Sequence, residues 1–209
     1  MQSVIIHQYV IQMANPFYNH NIFPEICKYM NLRELIKLEQ LSKCHKDIIR
    51  SYPWDHLMVR LMTNTLDVLK MYKFMKLDLS YTYISNKSVK ELKKCHTLNL
   101  RGCRKVTDES VKELKNCHTL DLNYTKVTDE SVKELKNCHA LDLRYTNVTD
   151  ESVKELKNCH TLNLYGTKVT NESAKELKNC HTLNVGWTTV TVECRKYLQN
   201  EGVILTINL

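Results

Sequence analysis

Glycine and proline are scarce. The 209 residues hold four Gly and three Pro, far below the ~12% that the two usually contribute. A Gly-rich phosphate loop, a Gly/Ser linker and a Pro-rich or collagen-like tract are therefore excluded. The few that occur are segregated: Pro16, Pro24 and Pro53 lie within the first 53 residues, and Gly102, Gly166, Gly186 and Gly202 all lie from residue 102 onward. Two segments of different style are expected. No stretch approaches the roughly 20 apolar residues of a membrane span. Residues 1–8 also lack the basic region and apolar core of a secretory signal, so a non-membrane, cytoplasmic chain is expected, with the nucleus as the alternative. Nine cysteines without a signal then imply reduced thiols, and an odd number cannot all pair. The four Asn-x-Ser/Thr sequons, at Asn86, Asn123, Asn147 and Asn171, should go unused.

Charge of one sign is not concentrated either. The net charge is +7, but residues 1–76 carry ten Lys/Arg against six Asp/Glu, and residues 77–209 carry twenty against seventeen. Alternating signs suit a solvated helix face, not a stripe that tracks phosphates, so no nucleic-acid partner is expected.

What the chain does have is a repeat. Cys-His-Thr-Leu-Asn-Leu begins at Cys95, and relatives begin at Cys117, Cys138, Cys159 and Cys180, spaced by 22, 21, 21 and 21 residues. A diverged first copy contains Leu77 and Leu79, and a last one contains Leu205 and Ile207. The 22-residue spacing comes from one extra residue between Leu100 and Val106. Leu98-Asn99-Leu100 and its counterparts alternate apolar and polar, as a short half-buried strand does. Val127 to Asn137 then reads as a short helix, with Thr128 as N-cap, Asp129 and Glu130 at its positive end, and Val132 and Leu135 sharing one face.

The pattern resembles the leucine-rich repeat, L-x-x-L-x-L-x-x-N/C-x-L. It maps as Cys117, Leu120, Leu122, Thr125 and Val127. Cys recurrently replaces the first Leu, and Thr82, Thr125, Thr146, Thr167 and Thr188 replace the Asn. Cys keeps a small buried position, and the Thr hydroxyl is a shorter hydrogen-bonding group for the turn. A 21-residue unit cannot bury its own apolar face, so the units must stack. The expected fold is an α/β leucine-rich-repeat solenoid with a horseshoe-like parallel sheet of seven strands.

Side chains alternating with the buried Leu positions should line the concave face. One column reads Asp78, Asn99, Asp121, Asp142, Asn163 and Asn184. The next reads Ser80, Arg101, Asn123, Arg144, Tyr165 and Gly186, flanked by Tyr81, Gly102, Tyr124, Tyr145, Gly166 and Trp187. Against a nearly constant background these positions vary and include aromatics and Arg, which suits recognition. The candidate substrate-binding residues are Tyr81, Arg101, Asp121, Tyr124, Asp142, Arg144, Tyr145, Tyr165 and Trp187. The plainer alternative is that the Asp/Asn column satisfies backbone and water, and the Tyr column packs on itself.

The Cys-His pairs suggest metal at first. Zinc needs four ligands around one point, whereas this period lays thiols in a ladder with each adjacent His facing the other way. No Cys-x-x-Cys occurs. The expectation is inward Cys and outward His, with no metal or cofactor. Five equivalent pairs also leave no privileged catalytic dyad. With no HExxH, P-loop or nucleophile elbow, no enzyme is expected.

Residues 22–60 differ in style. Pro24 suits a helix start, Ile26 with Met30 and then Leu35, Leu38 and Leu41 give apolar faces, and Ser42 is placed to cap a further helix. Three short helices are expected there, marginal by themselves; a helical cap shielding the first repeat is the plainer alternative. The stretch resembles the F-box on Phe23-Pro24-Glu25-Ile26, Leu35, Leu38, Leu41-Ser42-Lys43-Cys44-His45 and Trp54. It departs in having Phe for the first Leu and no Trp after Ser42-Lys43. The whole chain resembles F-box/leucine-rich-repeat proteins, and its Cys-His-Thr-Leu repeats are similar to those of members encoded by giant amoebal viruses, for which the host cytoplasm is the implied location. The resemblance implies a substrate-recognition subunit of an SCF-type (cullin-RING) ubiquitin ligase, with catalysis left to other subunits. Phe23, Pro24, Ile26, Leu35, Leu38 and Leu41 would contact a Skp-family adaptor, which joins the cullin scaffold, while the repeats hold an unidentified protein substrate. A stand-alone scaffold or inhibitor is the alternative. The expected divisions are an extension over 1–15, the F-box-like segment over 16–60 and the solenoid over 61–209, with 61–76 as a helix of the stack.

Overall fold

The computed structural model describes residues 53–60 and 73–206, together with Asp47 and Arg50, both helical. Eight parallel strands form one sheet in chain order: β1 (Pro53–Arg60), β2 (Lys73–Asp78), β3 (Thr97–Asn99), β4 (Thr119–Asp121), β5 (Ala140–Asp142), β6 (Thr161–Asn163), β7 (Thr182–Asn184) and β8 (Ile204–Leu205). Leu77, Leu98, Leu120, Leu141, Leu162, Leu183 and Leu205 pair in unbroken register. The Leu two residues further on forms a second buried column from Leu79 to Leu164, closed by Val185. A one-residue slip would turn both columns to solvent, so the register is strongly specified.

The return half of each unit is helical and very short. After α1 (Asn86–Lys90) come α2 (Asp108–Val111), α3 (Asp129–Val132), α4 (Asp150–Val153) and α5 (Asn171–Ala174). Each of α2 to α5 continues in a 3-10 turn, such as Lys133–Leu135 after α3. Val132 and Leu135, both fully buried, are three apart, and three residues per turn bring them into line over the core. Thr128 caps α3, its hydroxyl accepting from the Glu130 N–H at 3.3 Å. The closing helix, α6 (Val192–Asn200), is the longest of those given bounds here and buries Cys194 and Leu198.

The helical side carries a second device, absent from the reading of one repeat alone. Asp129 accepts from the Thr149 N–H (2.9 Å), the Thr149 hydroxyl (2.7 Å) and the Ser152 hydroxyl (2.6 Å) of the following unit. Asp108 clamps Thr128 and Ser131, and Asp150 clamps Thr170 and Ser173, in the same way. Burial opposes ionisation of these three carboxyls, but the hydrogen bonds from Ser and Thr outweigh it and hold them below the usual 3.8.

Two expectations need correction. Among the described residues the sheet has eight strands, not seven, because residues 53–60, read within a helical segment, form β1. The first repeat leaves the N–H and C=O groups of β2 open at an edge, and a run rich in aromatic and branched side chains supplies their partner. Pro53 opens this strand, where its missing donor is tolerated; the pairing slips between Trp54 and Met58. Likewise residues 73–76 of the expected 61–76 helix are strand. Phe74 is buried, and its carbonyl accepts from the Cys95 thiol at 3.0 Å. Residues 61–72, and the adaptor-contact candidates Phe23, Pro24, Ile26, Leu35, Leu38 and Leu41, lie outside the described residues. No helix among the described residues is long and apolar enough to cross a membrane.

Candidate recognition face

Of the nine residues singled out from the sequence, Asp121 and Asp142 end β4 and β5, Arg101, Arg144 and Tyr165 stand two residues beyond β3, β5 and β6, and Tyr81, Tyr124, Tyr145 and Trp187 sit in the turns that follow. The Asp/Asn column is tied to its own backbone. Each side-chain oxygen accepts the N–H two residues on: Asp78 from Ser80, Asn99 from Arg101, Asp121 from Asn123, Asp142 from Arg144, Asn163 from Tyr165 and Asn184 from Gly186, at 2.9–3.2 Å. These bonds steer the chain out of the strand and into the turn. Asp142 also grips the Arg144 guanidinium, with Nε at 3.1 and 2.9 Å and Nη2 at 2.7 Å, which raises the Arg144 pKa further. Burial, aided by Asp142 nearby, pushes the Asp121 carboxyl up to about 6, against the N–H of Asn123 that favours its charge.

The turn that follows sets the aromatic column. Thr125 closes it twice on the Leu122 carbonyl, through its N–H at 3.1 Å and its hydroxyl at 2.6 Å. Thr82, Thr146 and Thr167 do the same, so the Thr in place of the usual Asn holds the turn through its shorter hydroxyl. In the 22-residue unit Cys103 stands at this position, its thiol donating to the Leu79 carbonyl at 3.0 Å. The third residue of such a turn takes a left-handed backbone. Gly102 and Gly166 do so at φ +69°. Tyr81 (φ 59°), Tyr124 (57°), Tyr145 (53°) and Trp187 (54°) are forced into the same conformation, at ~1 kcal/mol or more each.

Their rings form a chain. Tyr124 stacks on Tyr145 with centroids 4.4 Å apart, Tyr145 meets the edge of Tyr165 at 5.4 Å, and Tyr165 lies 5.9 Å from Trp187. Tyr81 lies flat against Gly102, where a Cβ would stand 2.6 Å from its ring, and Arg101 sits over the same ring at 5.6 Å. Despite this mutual packing Tyr81, Tyr124, Tyr145 and Trp187 remain exposed. Asn123, which was not among the nine, is the residue that sequence reasoning missed. It is 1% exposed with neither amide atom partnered, and its membership of the Arg101 and Arg144 column was the available signal.

The Cys-His pairs are divided as expected. The Cys95, Cys117, Cys138, Cys159 and Cys180 side chains are core, and the five histidines are exposed. Burial pushes the thiols up, to about 12 for Cys95, Cys117, Cys138 and Cys159 and about 11 for Cys180. Such thiols stay protonated and unreactive. Among the described residues no group of three or more His, Cys, Asp or Glu is placed to hold a metal ion.

No family model matches the chain, and no curated protein does. Solved structures do. Internalin C2 of Listeria monocytogenes superposes with a TM-score of 0.56 at 20% identity, over 79% of this chain and 84% of that one. Internalin F of the same organism gives 0.50 at 15% identity over 74% of this chain; the match spans about half of that protein, 53%. Parallel short strands in register, a Leu-x-Leu ladder, short return helices and this likeness together establish the chain as a leucine-rich-repeat solenoid.

Proposed function

We propose that the chain is a non-catalytic protein-binding adaptor whose sheet face grips one partner. The observation that carries this is the left-handed aromatic column. Four rungs place Tyr or Trp where glycine, as at Gly102 and Gly166, sits without strain. A fold that needed only the turn would have no use for exposed rings there, and strain held at a surface points to a role for the side chain. Large amphipathic rings with few rotatable bonds suit protein contact.

The finer reading is a substrate-recognition subunit of an SCF-type ubiquitin ligase. Its support is the motif Phe23-Pro24-Glu25-Ile26, the Leu35, Leu38 and Leu41 spacing and Ser42-Lys43, followed by leucine-rich repeats. On this reading the helical segment inserts an apolar face into a Skp-family adaptor, the cullin scaffold follows, and the chain raises the effective concentration of substrate near the ubiquitin carrier. A stiff connection is favoured by β1, which ties residues 53–60 directly into the repeat sheet. The alternative is a scaffold or inhibitor acting without a ligase.

Co-expression with a Skp-family adaptor separates the two. A stable complex should co-elute on size exclusion, and Pro24→Ala combined with Ile26→Asp should abolish it while the solenoid's melting transition is retained. Wild-type chain eluting alone beside excess adaptor would leave only the scaffold reading.

A further inference from the structure

Arg101 and Arg144 occupy the same column of the sheet face, two rungs apart, and the repeat makes each a control for the other. Two residues before Arg144 stands Asp142, whose carboxylate takes both Nε and Nη2. Two residues before Arg101 stands Asn99, which is neutral and whose Oδ1 already accepts the Arg101 N–H at 3.0 Å. The Arg101 guanidinium therefore lacks the carboxylate that its counterpart has. Its Nε is buried without an acceptor; the guanidinium lies over the Tyr81 ring, and the Asp121 carboxylate acts on it through charge alone. The Gly102 N–H donates to the Asn123 carbonyl at 2.7 Å, which fixes Asn123 on the adjacent rung, ~4.8 Å away. Asn123 is 1% exposed with both Oδ1 and Nδ2 unpartnered. Orphaned polar atoms so close together are costly in a folded protein and call for a partner.

We propose that Arg101 and Asn123 anchor an acidic side chain on an extended segment of the bound protein. The carboxylate accepts from Arg101 Nε–H and Asn123 Nδ2–H, and Asn123 Oδ1 accepts a backbone N–H of the same segment. One Asp or Glu residue thus supplies every group the pair lacks, and Tyr81, 62% exposed, swings aside as the segment enters. This rests on the sheet face being the protein-binding surface. A polyphosphate chain fits poorly, since Lys76, Arg101 and Arg144 are balanced by Asp78, Asp121 and Asp142 on the same face. Stacking platforms for bases are also largely used up, because Tyr124 and Tyr145 already lie face to face.

The test is selection of a phage-displayed random 12-residue peptide library on the full chain, followed by fluorescence anisotropy with the tightest peptide. Recovered peptides should share an Asp or Glu, and its replacement by Asn or Gln should weaken binding at least tenfold. Arg101→Gln should cost the same. So should Asn99→Asp, which supplies the missing carboxylate internally and uses the residue already present at Asp78, Asp121 and Asp142, so the fold is kept. If peptides bind, are lost with Tyr124→Ser plus Trp187→Ser, yet ignore the acid and Asn99→Asp, the carboxylate anchor is wrong while the protein-binding face stands. If no peptide is captured, or binding survives the Tyr124 and Trp187 changes, both fall.

Discussion

At the scale of single residues, the sheet face shows how one position can serve structure and still be tuned. Asp121 fills the same backbone-capping role as Asn99, Asn163 and Asn184, yet it is charged, part-buried and next to Asp142. Its folded pKa of about 6 lies above the usual 3.8. A raised carboxyl binds its proton more tightly when folded, so its contribution is fully favourable below 3.8 and is lost as pH rises through 6. Asp121→Asn keeps the acceptor for the Asn123 N–H and removes the penalty. The full interval corresponds to at most ~3 kcal/mol; solvent screening of a part-exposed group reduces the expected gain to ~1 kcal/mol, or ~3–6 °C in Tm. Thermal melts at pH 7.5 should show that rise, and at pH 4 the two proteins should melt together. Equal melting at pH 7.5 would contradict the buried-charge account. The placement of the Asp/Asn column was legible in the sequence, because period-two alternation sets it opposite the Leu ladder, whereas the aromatic column shares the Leu parity and reaches the surface through the turn. The left-handed backbone was legible only indirectly. Its trace is the column Tyr81, Gly102, Tyr124, Tyr145, Gly166, Trp187, where glycine recurs because the turn demands φ > 0.

At the scale of elements, strands and helices of three to five residues cannot stand by themselves, and what sustains them is the neighbouring unit. Asp129 is the clearest case. A single repeat suggests only a favourable charge at a helix start, whereas in the stack it holds Thr149 and the fully buried Ser152 of the next unit. Asp129→Ala strands those donors and should cost ~2 kcal/mol in urea unfolding at pH 7. Asp129→Asn should cost about half, since Asn86 and Asn171 hold Thr107 and Thr191 with a carboxamide. The depressed Asp129 pKa adds stability present above 3.8 and lost as pH falls through the lower folded value, so the cost of Asp129→Ala should shrink progressively as the pH falls below 3.8. A cost under ~0.5 kcal/mol at pH 7 would show that the clamp is decoration. Such bonds were hidden because they join residues 20 to 23 apart, and the sequence shows the repeat period without showing which polar groups it brings together. β1 was hidden for a related reason: pairing with an open edge is a property of the neighbour β2, and residues 53–60 carry no copy of the repeat.

At the scale of the molecule, the constant period turns single residues into ladders. His96, His118, His139, His160 and His181 stack with centroids 4.5–4.7 Å apart, a column that exists only when every unit is in register. Protonated imidazoles held this closely repel one another, and the effect is felt at His160. Partial loss of hydration, then the charges of His139 and His181, hold His160 below the usual 6.5. With the folded value depressed, the unfolded chain takes the proton first, and stability falls as pH drops through 6.5 and on through the folded value. Asp121 acts in the opposite direction over an overlapping range, so the comparison belongs in the Asp121→Asn background. There, Tm should fall between pH 7.5 and 5.5, and adding His160→Gln should make that fall smaller. In the otherwise wild-type chain, His139→Gln should raise the His160 midpoint in a proton NMR titration, because one of its two charged neighbours is gone. A midpoint that does not move would mean that the rings merely lie near one another. The pH response would then have to come from the carboxylates of the clamps and the sheet face.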